Sequence, residues 1–74
     1  MSRDVSIPAV PAALTNREVV VLRLLAEGLD TEEVGHRIFL SVRSVKNIIH
    51  GLTSRFSLRN RTQAVAFALR HGLI

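Results

Sequence analysis

The sequence predicts an all-α domain of four helices. Side chains that favour a helix N-cap recur at Thr15, Asp30, Ser41 and Asn60, each just before a stretch with apolar residues at helical spacing. Glycines stand where the first and last of those stretches stop, at Gly28 and Gly72. No segment alternates apolar and polar residues with the period of a strand.

Residues 1–13 carry Ser, Pro and Ala without a period and read as a flexible N-terminal leader; the folded domain is expected over 14–74. Asp4 and the two prolines argue against a signal peptide. In "LTNRE", Thr15 and Glu18 form a capping box, and Leu14 is placed to staple onto Val19. This first helix runs to about Glu27, with Val21, Leu22 and Leu25 as its core stripe and Val19 and Val20 partly outside it. Asp30 and Glu33 form a second box, opening a short helix to about Phe39 with Val34 and Ile38 as its core pair. Gly35, between them, is either a close-approach site or a weak point costing about 1 kcal/mol against Ala. After a very short turn Ser41 caps a third helix, about 42–56, with Val45, Ile48, Ile49, Leu52 and Phe56 on its apolar face. Asn60 and Gln63 open the fourth helix; Gly72 ends it and Leu73 folds back onto its last turn.

The net charge of +4 conceals a segregation. All six acids (Asp4, Glu18, Glu27, Asp30, Glu32, Glu33) precede residue 34, whereas seven cations and no acid follow from Arg37 onward. Such asymmetry points to a polyanionic partner. With no cysteine, disulfides and thiolate metal sites are excluded, and an intracellular protein fits. The purest apolar run is "VVVL", so no membrane span is expected.

Two helices joined by so short a turn have the spacing of a helix-turn-helix. The major groove, about 12 Å wide, admits one helix, which must be apolar behind and rich in donors in front. Arg43, Lys46, Asn47, His50 and Ser54 lie along the face of the third helix opposite its apolar one, with no carboxylate among them. Double-stranded DNA is the partner this pattern fits.

Residues 14–74 resemble the LuxR-type (GerE-like) DNA-binding domain of bacterial transcription regulators. "LTNREVVVLRLLAEGL" is similar to that family's "LTxREREVLxLLAxG", and "SVRSVKNIIHGLTSRFSLRNRTQAVAFA" to its "SxxTVKxHxxxIxxKLxVxxRxxAV". The resemblance implies a tetrahelical helix-turn-helix domain acting in the bacterial cytoplasm, nucleoid-associated when bound. Its third helix would enter the major groove, and its fourth would often mediate a homodimer. By position, Lys46 matches a DNA-facing lysine, Asn47 and His50 match variable base-reading positions, and Ser44 stands where Thr is usual, able to bond a phosphate. Arg55 matches a basic position and Arg61 a near-constant arginine, expected to tie the fourth helix to the first through Glu18. The DNA-binding set expected is therefore Ser41, Arg43, Ser44, Lys46, Asn47, His50, Arg55, Arg59 and Arg61, with Ala66, Phe67 and Arg70 at the dimer interface. With no room for a receiver or ligand-sensing domain, the chain reads as a stand-alone regulator or as a response regulator's output domain.

Four departures favour a different class, a protein-interaction module of this fold with weak or lost DNA binding that modulates a related regulator. Glu32 stands where a phosphate-facing lysine is common, Ile48 replaces a frequent histidine, Gly51 sits inside the third helix, and Val20 replaces a glutamate. Val19, Val20 or the fourth helix would then meet the partner. No enzyme is expected: nucleophile-elbow and Gly-rich phosphate-loop patterns are absent, and no cofactor is implied. His36, His50 and His71 lack metal-ligand spacing, and three phenylalanines without Trp or Tyr make no single-strand stacking platform.

Overall fold

The structure is a computed structural model that describes residues 14–74. The expected leader over 1–13 lies outside the described residues. Within them the chain forms four helices and no strand: α1 (Asn16–Ala26), α2 (Thr31–Ile38), α3 (Val42–Arg55) and α4 (Arg61–Arg70).

Each helix starts at its expected cap. Thr15 Oγ1 accepts the Glu18 amide at 3.1 Å, while the Thr15 amide donates to Glu18 Oε1 at 2.9 Å. Asp30 and Glu33 make the same reciprocal pair at 2.8 and 2.9 Å. Ser41 Oγ accepts the Ser44 amide at 3.1 Å. Asn60 Oδ1 accepts the Gln63 amide at 2.9 Å, but the Gln63 side chain reaches back to the Arg59 amide at 2.8 Å rather than to its own cap.

The helix ends are less uniform. Gly28 (φ 95°) and Gly72 (φ 68°) take the left-handed conformation, and Leu29 and Leu73 donate back to the Leu24 and Ala68 carbonyls to close the turns. The ends on either side of α3 use Phe39 (φ 60°) and Ser57 (φ 56°) instead, where a Cβ makes this conformation costly.

Two apolar clusters share α1 and α3. The first joins Val21 and Leu24 of α1, Val34 of α2 and Val45 of α3. The second joins Leu22 of α1, Leu52 of α3 and Ala64 and Ala68 of α4. Ile48 packs against both, so one side chain in the middle of α3 ties the helix-turn-helix to the rest of the domain. The expected stripe of α1 is corrected at one position: Leu24 is buried and Leu25 only half-buried at its edge. Leu14 packs against the second cluster, as does Phe56, which is half-buried.

Gly35 is a close-approach site. A Cβ built there would lie 2.5 Å from the Leu40 carbonyl oxygen and 3.7 Å from Val45 Cγ2. The missing side chain lets the α2–α3 turn fold back over α2, where the Leu40 amide bonds the Gly35 carbonyl at 2.9 Å. A Cβ at Gly51, by contrast, would meet nothing within 4 Å.

Candidate nucleic-acid interface

The polar side chains of α3 follow from its apolar ones. With Val45 and Leu52 turned into the two clusters, the opposite positions Arg43, Lys46, Asn47, His50 and Ser54 are all exposed. The start of the helix is capped by hydroxyls alone: Ser41 Oγ also donates to Ser44 Oγ at 3.0 Å, and the first turn holds no acid. A helix N-terminus carries about half a positive charge, and nothing within this turn neutralises it.

Lys46 and His50 are brought together with residues from two other helices. A groove of about 310 Å³ is lined by Lys46, Ile49, His50 and Thr53 of α3, Thr31 at the start of α2, and Asn60 and Arg61 at the start of α4. Thr53 Oγ1 donates to the His50 carbonyl at 3.1 Å. Two cations, one imidazole, two hydroxyls and one amide thus border one open depression, a donor set suited to phosphate oxygens. Arg43 and Asn47 are exposed on α3 outside this groove, Ser41 and Ser44 lie at the helix start, and the Arg59 side chain is exposed in the α3–α4 link. Thr31, Thr53 and Asn60 were not expected here. The one signal in the sequence is the spacing of Thr53, three residues after His50 and seven after Lys46; Asn60 signals only a cap.

The expected tie from Arg61 to Glu18 is corrected. Arg55 makes it, with Nη2 donating to Glu18 Oε1 at 2.8 Å. Arg61 opens α4 and lines the grooves on its flanks instead. The reason is geometric: α3 ends beside the first turn of α1, whereas α4 begins beside the start of α2.

The candidate interface residues of α4 divide between two sides. Ala66 lines a groove of about 410 Å³ with Val65, Leu69 and, across from them, Leu25 and Leu29. Leu69 is 58% exposed there. Phe67 points elsewhere, stacked on Phe56 with ring centroids 4.9 Å apart and against His71 at 4.5 Å. Arg70 is exposed. On α1, Val19 is half-buried and Val20 is 40% exposed, beside Asn16, Arg17 and Ile38. Among the described residues, no three His, Asp or Glu side chains come together in a way that could hold a metal ion, and no helix is long and apolar enough to cross a membrane.

Comparison with known proteins places this architecture. The sequence model described as "Bacterial regulatory proteins, luxR family" matches residues 12–68. The chain is 38% identical over 60 residues to the transcriptional regulatory protein YxjL of Bacillus subtilis, covering 81% of this chain and 28% of that protein. The solved structure of the transcription factor GerE superposes with a TM-score of 0.77 at 29% identity, covering 80% of this chain and 88% of the other. The response regulator ChrA of a heme-sensing two-component system superposes with a TM-score of 0.80 at 32% identity, covering 84% of this chain and 31% of ChrA. The chain therefore spans less than a third of the length of YxjL and ChrA.

Proposed function

The chain belongs to the luxR family of bacterial regulatory proteins, and from that membership we propose that it reads double-stranded DNA sequence-specifically with α3 in the major groove, as a homodimer in the bacterial cytoplasm. The observation that carries this reading is the acid-free face of α3 together with the groove shared by Lys46, His50, Thr31, Asn60 and Arg61. Arg43, Asn47 and His50 supply base-edge contacts, Asn47 having the amide that pairs two-fold with adenine N6 and N7. Lys46, Arg59, Arg61, Ser41 and Ser44 serve the phosphates, and Arg55 orients the helix. The homodimer uses the α4 groove around Val65, Ala66 and Leu69 together with the exposed Arg70, while Phe67 packs on Phe56 away from that groove.

The rival reading, a protein-interaction module with weakened DNA binding, draws on the exposure of Val20 and on Glu32 at the start of α2. One set of variants separates the two. Asn47→Ala is expected to relax preference at one base pair by about 1–3 kcal/mol. Lys46→Ala is expected to weaken binding to all duplexes. Both should melt close to the parent, whereas Leu52→Ala, which truncates a side chain 2% exposed, should cost about 2–5 kcal/mol of stability. Duplex binding by fluorescence anisotropy beside thermal melting gives the comparison. If neither polar variant changed duplex binding, α3 would not be the reading helix.

A further inference from the structure

The two ends of α3 are held by different means. Its start follows from the tight turn closed over Gly35. Its end is tied to the first turn of α1, where Glu18 Oε1 accepts both the Arg55 guanidinium at 2.8 Å and the Thr15 amide at 2.9 Å. The Glu18 side chain is 14% exposed and that of Arg55 41%, so the pair sits partly shielded against the body of the domain. The Arg55 guanidinium also lies 5.2 Å from the centre of the Phe56 ring, which stacks in turn on Phe67 of α4. One carboxylate oxygen therefore joins the cap of α1, the last residue of α3 and, through two aromatic rings, the middle of α4.

We propose that Glu18 is a positioning residue for DNA reading: through Arg55 it holds the C-terminal end of α3, and Arg55 serves as that clamp rather than as a phosphate contact. This rests on the DNA-binding reading above. Base-edge hydrogen bonds require placement to within about 0.5 Å, whereas long cationic side chains follow a phosphate over a wider range. A loosened α3 end accordingly loses base discrimination before it loses general affinity. Glu18 and Glu32 then behave differently when neutralised. Glu32 is exposed at the start of α2; removing its charge strengthens binding to every duplex and leaves preference unchanged. Removing the charge of Glu18 also lowers repulsion from phosphates, but it costs preference.

The test uses two duplexes, one carrying a site selected from a random pool by the parent chain and one of random sequence. The readout is the ratio of the two affinities, measured where circular dichroism finds every variant folded. Glu18→Gln suits the purpose because Gln also completes a capping box, so the ion pair is lost while the start of α1 is kept. Glu18→Gln and Arg55→Gln are each expected to lower the ratio on the order of tenfold, the discrimination one base pair commonly carries. The double variant is expected to be no worse than either single one, and Glu32→Gln to leave the ratio unchanged. Arg55→Lys, which keeps the charge but not the planar fork, should fall between the parent and Arg55→Gln, and it supplies the ordering if Arg55→Gln melts too early. An unchanged ratio in Glu18→Gln, or additive losses in the double variant, overturns the clamp and leaves DNA reading standing. A parent chain with no preferred duplex overturns both.

Discussion

α1 and α2 start with capping boxes whose closing residue is a glutamate, Glu18 and Glu33, whereas α3 and α4 start with neutral caps, Ser41 followed by Ser44 and Asn60 followed by Gln63. The local geometry is the same in all four: a side-chain oxygen of the cap accepts the amide three residues on. What differs is charge. In the first pair the helix's own carboxylate meets the positive end of the dipole, which is the arrangement that stabilises a helix in isolation. In the second pair the same position is neutral, so α3 and α4 forgo that stabilisation, and on the proposed reading their positive ends face the phosphates. The neutral starts lie in the half of the sequence that carries seven cations and no acid, one of them, Arg55, paired with Glu18 of the other half.

The largest effect is expected from making α3 start as α1 and α2 do. Ser44→Glu completes a capping box on Ser41 and should raise stability by about 0.3–1 kcal/mol. It should also loosen duplex binding by about tenfold or more, because like charges opposed across an interface cost on the order of a few kcal/mol. Thermal melting and anisotropy on one preparation read both, and a variant that gained stability without losing affinity would detach the start of α3 from DNA. Glu32→Lys works in the opposite direction on α2. It should tighten binding to all duplexes about equally and steepen the dependence of log affinity on log salt by about 0.9, the share of one added phosphate contact. A change confined to preference among sequences would mean that α2 does not face the backbone. The smallest effect is expected on α4, where Gln63→Glu places an acid at an exposed position. A loss of affinity of up to about fivefold is expected there, the scale of one exposed charge–charge contact, about 0.2–1 kcal/mol. If Gln63→Glu mattered as much as Ser44→Glu, the start of α4 would rank with α3 in contacting DNA.

Much of the fold was legible because helix starts are written in local chemistry. Thr15, Asp30, Ser41 and Asn60 each cap within three residues of themselves, so no tertiary knowledge is needed to find them. The stops at Gly28 and Gly72 were legible for the same reason. The ends of α2 and α3 were legible to within a residue, at about Phe39 and Phe56, but the left-handed conformation of Phe39 and Ser57 was not, since neither side chain signals it. Leu24 and Leu25 were exchanged at the edge of the stripe because periodicity gives the direction of a face but not its width, which the neighbouring helices decide. In the candidate site, the exposed flank of α3 could be read from spacing alone. The meeting of Lys46 and His50 with Thr31 and Asn60 could not, because it depends on three helices converging. For the same reason sequence could nominate an arginine for Glu18 but not choose Arg55 over Arg61.

The central claim, that the acid-free half meets a DNA backbone, is tested most directly by the salt dependence of duplex affinity. Each phosphate neutralised by a cation of the chain releases counterions, so log affinity should fall linearly with log salt at about 0.9 per contact. Several of the seven cations from Arg37 onward engaged at once predict a steep line. A flat line, or no binding even at low salt, would contradict the account and leave the exposed apolar residues of α1 and α4 as the surfaces by which this domain acts.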